Sequence, residues 1–341
     1  MSDTFTIDGQ ESWPRPGYGA MGLSAFYGPT GTDEEGKQVL RKAIEVGCTF
    51  WNTADMYGQG HNEKIIGEVL REGDNRSKVF LVTKFGNRWD APGVPSYKVD
   101  GSPEYAIEAI KNSIERMGGI YPDAWILHRI DKATPIEESV RAMDAIRKEG
   151  KCKYIGLSEC SAETLRRAAK VAKISFVEVE YSPWTLDMEQ NGVLDACKEL
   201  GITVLAYSPL GRGKSWLLVF LEQRCRYKQK SDFSEGDWRA QLPRLSQENW
   251  DKNYKIVEEL EKLATKKHCT AGQLSLAWLL AQGPNIVPIP GTKSEKYLVE
   301  NFDSRKIELS ESDLRDIRQV IVENAAIGDR YSQPGMASLD Q

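Results

Sequence analysis

Short apolar runs alternate along this chain with longer segments of helical periodicity, beginning near Gly17. The apolar runs predict strands over Gly19–Leu23, Thr49–Asn52, Val79–Thr83, Ala124–Leu127, Tyr154–Leu157, Phe176–Val179, Thr203–Ala206 and Ile286–Pro288. The longer segments predict helices over Glu34–Val46, Asn62–Arg71, Pro103–Met117, Pro135–Glu149, Ala162–Ala172, Glu189–Leu200 and a longer region, Glu248–Gln282. Pro103 and Pro135 each follow a Ser or Thr, as a first-turn proline follows an N-cap.

Strands that alternate with helices in this way predict a parallel sheet covered by helices, and their number matches a (β/α)8 TIM barrel. A doubly wound sheet is the competing architecture. It would need a glycine fingerprint that leads from the first strand into a helix, and GYGAMGLSAFYG does not continue into one. We therefore expect one barrel domain over residues 1–341, with its functional groups at the carboxyl ends of the strands.

The composition is that of a soluble globular protein, with 40% hydrophobic and 28% charged residues in a chain of 341. A net charge of -5 and a pI near 5.5 argue against nucleic-acid and acidic-membrane partners. The six cysteines form no CxxC pair, so neither a metal site nor a disulfide framework is expected. The opening residues, MSDTFTIDGQ, lack signal-peptide features, and no apolar run reaches the length of a membrane span. A cytoplasmic protein is therefore expected, with its oligomeric state left open.

Three side chains with acid–base chemistry fall at the ends of predicted strands: Tyr57, Lys84 at the end of VFLVTK, and His128 at the end of DAWILH. A lysine ammonium beside a tyrosine favours the phenolate and draws the tyrosine pKa down from about 10. An imidazole in the same place would hydrogen-bond a carbonyl oxygen and orient it. Each residue alone has an ordinary explanation, such as a packed ring or a solvated strand end. Together, at three strand ends of one barrel, they predict reduction of a carbonyl by hydride from a cofactor.

The segments around these residues resemble the aldo-keto reductase superfamily. GCTFWNTADMYGQGHNEKIIG resembles the family's first signature, LVTKFG its lysine signature and ILHRID its histidine segment. GLSE, EYSPW, AYSPLGRG and IPGTKSEKYLVEN follow in the family's order, so the resemblance runs from about Gly19 to Asn301. HRID and LPRL are most similar to fungal reductases of the pyridoxal-reductase-like branch. The resemblance implies a barrel that reduces aldehydes or ketones with NADP(H) and pro-R hydride delivery, with pyridoxal as a candidate substrate.

The resemblance also implies roles for individual residues, with Tyr57 as general acid, Lys84 as the modifier of its pKa and His128 as the group that orients the carbonyl. The implied cofactor contacts are Gly19, Ala20 and Met21 near the reactive end, Ser158, Glu159 and Glu178 at the carboxamide, Tyr207 stacked on the nicotinamide, and Ser208, Leu210 and Arg212 at the pyrophosphate. Glu178 stands where the family often carries glutamine. An apolar, aromatic substrate pocket is expected from Phe26, Tyr27, Trp89 and Trp184. Arg129 either meets an anionic group or forms a surface salt bridge, and the salt bridge is favoured.

The segment IPGTKSEKYLVEN also has a direct physical interpretation. Lys293, Ser294 and Lys296 precede a helix, and the N-terminus of a helix favours anions. This arrangement would hold a 2′-phosphate, so NADP(H) is preferred over NAD(H), with Glu300 and Asn301 reaching the adenine. Taken alone, an ordinary charged helix start is the simpler interpretation, but the family resemblance favours the phosphate site.

One departure from the family pattern affects the acid–base residues. The family's aspartate that pairs with the lysine falls on Asn52, which keeps a hydrogen-bond acceptor for Lys84 but removes the negative charge. A buried ammonium without a charged partner loses its proton more readily through desolvation. The sequence therefore predicts a working but slower enzyme, whose rate Asn52→Asp would raise.

A second departure is the atypical loop insertion over residues 212–234, which contains six consecutive apolar residues, WLLVFL. This insertion is either a short helix that covers the cofactor or retained intron sequence, since Gly213-Lys214-Ser215 is compatible with a donor-like GTAAGT. Together with Asn52, the insertion keeps a second class of function open. The chain would then be a cofactor-binding regulatory protein or a paralogue of low activity.

Overall fold

The computed structural model describes residues 2–25, 31–89, 97–213 and 238–339. Its strands are β1 (Thr4–Ile7), β2 (Glu11–Pro14), β3 (Tyr18–Gly19), β4 (Phe50–Asn52), β5 (Phe80–Phe85), β6 (Asn87–Trp89), β7 (Tyr97–Val99), β8 (Ala124–Leu127), β9 (Tyr154–Ser158), β10 (Phe176–Glu180), β11 (Thr203–Tyr207) and β12 (Ile286–Pro288). Its α-helices are α1 (Asp33–Val46), α2 (His61–Leu70), α3 (Asn75–Lys78), α4 (Pro103–Arg116), α5 (Ile136–Lys148), α6 (Ala162–Ala169), α7 (Asp187–Gln190), α8 (Val193–Leu200), α9 (Gln247–Lys266), α10 (Ala271–Ala281), α11 (Glu295–Asp303), α12 (Glu311–Glu323) and α13 (Gln333–Met336).

Eight strands form one parallel sheet in the order β12-β11-β10-β9-β8-β5-β4-β3. The two outer strands of that order also meet, because the main-chain nitrogens of Gly17 and Gly19 donate to the carbonyl oxygens of Pro288 and Pro290 at 2.9 and 3.1 Å. The sheet therefore curls back on itself as a (β/α)8 barrel, as the sequence predicts.

The closure depends on two glycines. A Cβ atom on Gly19 would lie 2.6 Å from the carbonyl oxygen of Ile289, and one on Gly291 would lie 2.7 Å from the carbonyl oxygen of Gly19. No larger residue allows the two backbones to approach so closely. The predicted strand Gly19–Leu23 is wrong beyond its first residue, since Ala20–Leu23 forms a 3-10 turn. Asn62 Nδ2 donates to the Ala20 carbonyl oxygen at 2.9 Å, where a main-chain nitrogen of a neighbouring strand would otherwise donate.

The other seven predicted barrel strands agree with the observed strands to within two residues at either end. Two predicted helices are each divided. Gly192, at φ 84°, separates α7 from α8, and Thr270 begins α10 with a capping box to Gln273. Pro103 does follow the N-cap Ser102, but Pro135 itself occupies the N-cap position of α5, so the prediction of a Thr cap there is wrong.

An N-terminal hairpin, β1 paired with β2, fills the end of the barrel opposite the predicted site. Phe5 of the hairpin packs edge-on against Phe50, and Phe50 stacks on Phe80, with ring centroids 5.1 Å apart in both pairs. Phe50, Phe80 and Phe176 are the first residues of their strands, so this aromatic cluster closes the amino-terminal end of the barrel. The polar residues of the predicted site lie at the other end, where the strands have their carboxyl ends. In the described part of the chain, no helix is long and apolar enough to cross a membrane.

Candidate active site

Tyr57, Lys84 and His128 lie together at the carboxyl ends of three strands. Lys84 is the fifth residue of β5 and is wholly buried, His128 directly follows β8, and Tyr57 stands in the loop after β4. The Lys84 Nζ donates to the Tyr57 hydroxyl oxygen at 3.1 Å. The Tyr57 and His128 rings meet edge to face, with centroids 5.9 Å apart. Because the Tyr57 oxygen accepts from Lys84, its own proton is free to be directed to another acceptor.

The Lys84 ammonium has several polar contacts besides Tyr57. Its Nζ donates to Asn52 Oδ1 at 2.7 Å and to the Thr53 carbonyl oxygen at 2.8 Å. It also forms an ion pair with Glu178 Oε1 at 3.2 Å. Asn52 Nδ2 donates to the other oxygen of the same carboxylate at 2.7 Å. The expectation that Asn52 leaves Lys84 without a charged partner is therefore wrong, because Glu178 of β10 supplies the carboxylate.

Burial and charge act in opposite directions on the two central groups. Burial lowers the pKa of Lys84, but the Glu178 charge and the Tyr57 phenol outweigh it, and the net pKa is raised. Burial raises the pKa of Tyr57, Lys84 lowers it, and Glu178 raises it again, so its net direction is upward. Lys84 thus acts on Tyr57 in the expected direction, but the expected net decrease is wrong because burial is the larger effect.

His128 is neutral at neutral pH. Burial, followed by the charges of Lys84 and Arg129, holds its pKa well below the ordinary value of 6.5. A neutral imidazole carries one donor nitrogen and one acceptor nitrogen, and His128 Nδ1 has no hydrogen-bond partner among the described residues. The ring is therefore able to donate a hydrogen bond without carrying a charge.

A second polar cluster surrounds Glu159, which follows β9. Tyr207, the last residue of β11, donates its hydroxyl to Glu159 Oε1 at 2.7 Å. Arg330, close to the C-terminus, binds both carboxylate oxygens of Glu159 at 3.2 Å each. The Tyr207 hydroxyl also lies 2.9 Å from that of Tyr331. Burial raises the pKa of Glu159, but Arg330 and Arg129 outweigh this and lower it, so the carboxylate is charged.

The remaining residues expected at the carboxamide and pyrophosphate lie along the same rim. Ser158 is the buried end of β9, and Leu210 is buried after β11. Glu159, Ser208 and Arg212 have left-handed backbones, with φ of 50°, 48° and 60°. Such conformations are uncommon for residues other than glycine and are concentrated at binding sites.

Arg212 connects this rim to the C-terminal segment. Its guanidinium donates to Glu180 Oε2 at 2.6 Å and to the carbonyl oxygen of Arg330 at 2.8 Å. The same group lies over the Tyr331 ring, 4.1 Å from its centroid. Ala20 is buried and Met21 half-buried in the turn after β3.

The predicted phosphate segment lies at the start of α11. Ser294 is the N-cap and Lys296 is the second residue of the helix, so the expectation that Lys296 precedes the helix is wrong by two residues. Lys293 and Ser294 are half-buried and Lys296 is exposed. Glu300 Oε1 accepts from Thr270 Oγ1 at 2.8 Å. Asn301 is buried, and its Nδ2 has no hydrogen-bond partner among the described residues.

The residues expected to face the substrate are only partly described. Phe26, Tyr27, the Trp89 side chain and residues 214–234 of the atypical insertion lie outside the described residues. Trp184 is buried in the main hydrophobic cluster. Arg129 is half-buried and donates to the His128 carbonyl oxygen at 2.7 Å and to Ser158 Oγ at 3.4 Å. Arg129 therefore lies beside the site, and the choice between an anion contact and a surface salt bridge stays a prediction.

Sequence reasoning missed Thr53, Glu180, Arg330 and Tyr331. Thr53 contributes a main-chain carbonyl, which carries no sequence signal. Glu180 lies within the EYSPW motif and two residues from Glu178, so alternation along β10 would have placed both on one face. Arg330 and Tyr331 lie beyond the last family motif, where neither periodicity nor spacing points to the barrel mouth.

Sequence comparison gives full-length relatives. The profile described as Aldo/keto reductase family matches residues 17–322. The protein named aldo-keto reductase yakc, with NADP(+) in its name, from Schizosaccharomyces pombe is 45% identical over 332 residues, covering 97% of this chain and 94% of the relative. An aldo-keto reductase of Gibberella moniliformis is 44% identical over 326 residues, covering 96% of each.

Solved structures share the fold. A glycerol dehydrogenase from Gluconobacter oxydans superposes with a TM-score of 0.83 at 24% identity, covering 94% of this chain and 96% of that one. An aldo/keto reductase from Klebsiella pneumoniae, in complex with NADP and acetate, gives a TM-score of 0.70 at 22% identity, covering 97% and 99%. At these identities the likeness concerns the architecture.

Proposed function

The chain belongs to the aldo/keto reductase family, and we propose that it reduces an aldehyde or ketone to the alcohol with NADP(H) as the hydride donor. The observation that carries the proposal is the buried contact of Tyr57 with Lys84, beside a neutral His128. A hydride donor alone cannot complete the reduction, because the carbonyl oxygen must also gain a proton. Tyr57 is placed to give that proton.

Tyr57, Lys84 and His128 have different roles in the proton transfer. NADPH, when bound, supplies a hydride to the carbonyl carbon. Tyr57 donates its hydroxyl proton to the carbonyl oxygen as negative charge develops there. Lys84 stabilises the resulting phenolate through the bond of 3.1 Å. His128, neutral and buried, donates a hydrogen bond that orients the carbonyl oxygen.

The described residues fit a phosphorylated dinucleotide at two places. The buried Nδ2 of Asn301 has no hydrogen-bond partner in the described part of the chain, as expected for a donor that would bind an adenine acceptor. The same helix begins at Ser294 with Lys293 beside it, so its positive end and an ammonium favour a 2′-phosphate. Lys296 would complete the phosphate site, which favours NADP(H) over NAD(H), and Glu300 would reach the adenine together with Asn301.

At the nicotinamide end, Gly19, Ala20 and Met21 would line the ring, with Ser158 and Glu159 at the carboxamide. Tyr207 would stack on the ring, and Ser208, Leu210 and Arg212 would contact the pyrophosphate. The left-handed backbones at three of these positions support a preformed binding site for the cofactor.

Pyridoxal is our candidate substrate, and small aromatic and aliphatic aldehydes are the other candidates. We also propose a cytoplasmic location.

The competing function is a cofactor-binding regulatory protein or a paralogue of low activity. Asn52 supported this alternative because it left Lys84 without a charged partner. The Glu178 carboxylate beside Lys84 supplies that partner, so Asn52 no longer supports it. The insertion over residues 212–234 remains its other support, and most of it lies outside the described residues.

The test is NADPH oxidation by the purified chain with pyridoxal, aromatic aldehydes and short aliphatic aldehydes, repeated with NADH. We expect turnover with at least one carbonyl and a clear preference for NADPH. Fluorescence titration of NADPH runs in parallel. Tight binding without turnover of any carbonyl would favour the regulatory function, and absence of binding would contradict both.

A further inference from the structure

Glu178 stands among the expected cofactor contacts, yet its side chain reaches across the barrel to Lys84. Its Oε1 lies 3.2 Å from Lys84 Nζ, and its Oε2 accepts from Asn52 Nδ2 at 2.7 Å. Three strands separate β10 from β4 in the sheet order, so the contact crosses the barrel interior. Lys84 and Glu178 are both buried, and water does not weaken their attraction there.

The charge balance around Lys84 depends on this contact. Among the described residues, Glu178 is the only carboxylate within ion-pair distance of its Nζ. The other partners are an amide, a main-chain carbonyl and a phenol, all neutral. A buried ammonium without an anion loses its proton more easily. Glu178 is therefore the group that keeps Lys84 charged.

Asn52 is complementary to that carboxylate. Its amide oxygen accepts from Lys84 and its amide nitrogen donates to Glu178, so one side chain bridges both charges. An aspartate at position 52 would bring a second carboxylate to hydrogen-bond distance of Glu178. Like charges at that distance cannot both ionise easily, and one would take up a proton. The expected gain in rate from Asn52→Asp is thereby reversed.

We propose that Glu178 is a positioning residue for carbonyl reduction, whose carboxylate holds the Lys84 ammonium against the Tyr57 hydroxyl while Asn52 bridges the two. In this chain the carboxylate of the pair is on β10 and the amide is on β4. The family resemblance implies the opposite, with the carboxylate on β4 and the amide on β10. The proposal rests on the proposed function, in which Tyr57 gives up its proton. Without Glu178, Lys84 would be neutral over more of the pH range and would stabilise the phenolate less.

Other titratable and charged groups lie nearby: Asp55, Tyr57 and His128 interact electrostatically with Lys84, and Arg129 interacts with Tyr57 and His128. They remain unchanged when only positions 52 and 178 are altered. Differences among variants at those two positions therefore report the placement of one carboxylate and one amide.

The experiment compares Glu178→Gln, Asn52→Asp and the double variant, which exchanges the carboxylate and the amide. For each we measure kcat and KM against pH and the NADPH affinity by fluorescence. We expect Glu178→Gln to lower kcat by about 10- to 100-fold and to move its alkaline limb about one pH unit lower, with NADPH affinity retained. Asn52→Asp is expected to lower kcat as well. The double variant is expected to recover most of the lost rate and the original pH profile.

A Glu178→Gln variant with unchanged kcat and pH profile would overturn the proposal, as would a double variant no faster than the better single variant. Denaturant midpoints check that each variant folds. If Glu178→Gln does not fold, the double variant against the parent decides, because the exchanged pair must still restore the rate.

A measurement without substrate separates this proposal from the proposed function. Lysine labelled with ¹³C at Cε reports the ionisation of Lys84 by NMR, with its signal assigned through Lys84→Met. We expect the Lys84 pKa to fall in Glu178→Gln and to return in the double variant. If that occurs but the parent reduces no carbonyl, the proposed function fails, and only the control of Lys84 ionisation by Glu178 is supported. If carbonyls are reduced and the Lys84 titration does not respond, the proposal fails alone.

Discussion

Arg330, near the C-terminus, binds the carboxylate of Glu159 at the end of β9 through two hydrogen bonds of 3.2 Å. Both side chains are buried, with 4% and 2% of their surfaces exposed. Tyr207 donates to the same carboxylate and meets the hydroxyl of Tyr331. The segment that contains Arg330 and Tyr331 is thus part of the barrel mouth, beside the groups that we assign to the nicotinamide.

Replacing Arg330 by alanine is expected to lower the free energy of unfolding by about 3 kcal/mol, because a buried carboxylate is left without its charged partner. Cofactor affinity should fall with it, since Glu159 loses its fixed orientation. Urea denaturation and NADPH fluorescence measure the two effects. Arg330→Lys keeps the charge without the paired geometry and should lose less. An alanine variant as stable as the parent would contradict the expectation.

Replacing Tyr57 by phenylalanine is expected to lower kcat by about 100-fold or more, because the proton donor is removed. NADPH affinity should be retained, since the hydroxyl contacts Lys84. Tyr154→Phe is the matched control, because that hydroxyl binds Glu11 at the opposite end of the barrel. Equal loss of rate in both variants would show that the effect is structural.

His128 is expected to make the protein less stable in acid. Its folded pKa lies well below the unfolded value of 6.5, so its contribution is complete above pH 6.5 and is lost as the pH falls from there towards the folded pKa. His128→Asn should therefore flatten the decline of the unfolding free energy over that range. Denaturant titrations at several pH values test this, with the exposed His268→Asn as control. A decline of unchanged slope in His128→Asn would refute it.

Asp55 is expected to cost stability as the pH rises. Burial, and then the charge of Glu63, raise its pKa well above the ordinary 3.8. The folded chain holds this proton more tightly than the unfolded chain, so the contribution is full below pH 3.8 and is lost as the pH rises through the folded pKa. Asp55→Asn should be the more stable protein at alkaline pH, as judged from denaturant midpoints. The exposed Asp316→Asn serves as control, and equal shifts in both would argue against the buried carboxyl.

Two glycines inside helices should respond in opposite ways to alanine. A Cβ on Gly67 of α2 would lie 2.5 Å from the main-chain oxygen of Met117, whereas one on Gly36 of α1 meets nothing closer than 3.8 Å. Gly67→Ala is therefore expected to destabilise the fold by about 1–3 kcal/mol, since backbone must move. Gly36→Ala should stabilise it by about 0.5–1 kcal/mol through helix propensity. Thermal denaturation of the pair is the measurement, and similar changes in both would contradict the packing argument.

Parts of the site were predictable because they depend on local signals. Lys84 and His128 stand where apolar runs end, and parallel strands bring such ends to one edge of a barrel. Glu178 is equally close to a strand end, but its partner was not predictable. Its contact with Asn52 joins residues 126 positions apart across the barrel interior. That contact depends on side-chain direction and strand tilt, which no short pattern contains.

The sequence by itself determined the alternation of strands and helices, the barrel, and the type of each acid–base group at its mouth. These follow from periodicity and from residue chemistry, which are properties of a few neighbouring positions. Only the tertiary structure decided which carboxylate neutralises Lys84, that burial outweighs the ammonium in setting the Tyr57 pKa, and that Arg330 completes the rim. Those outcomes depend on distances and exclusion of water, which exist only once the barrel has closed.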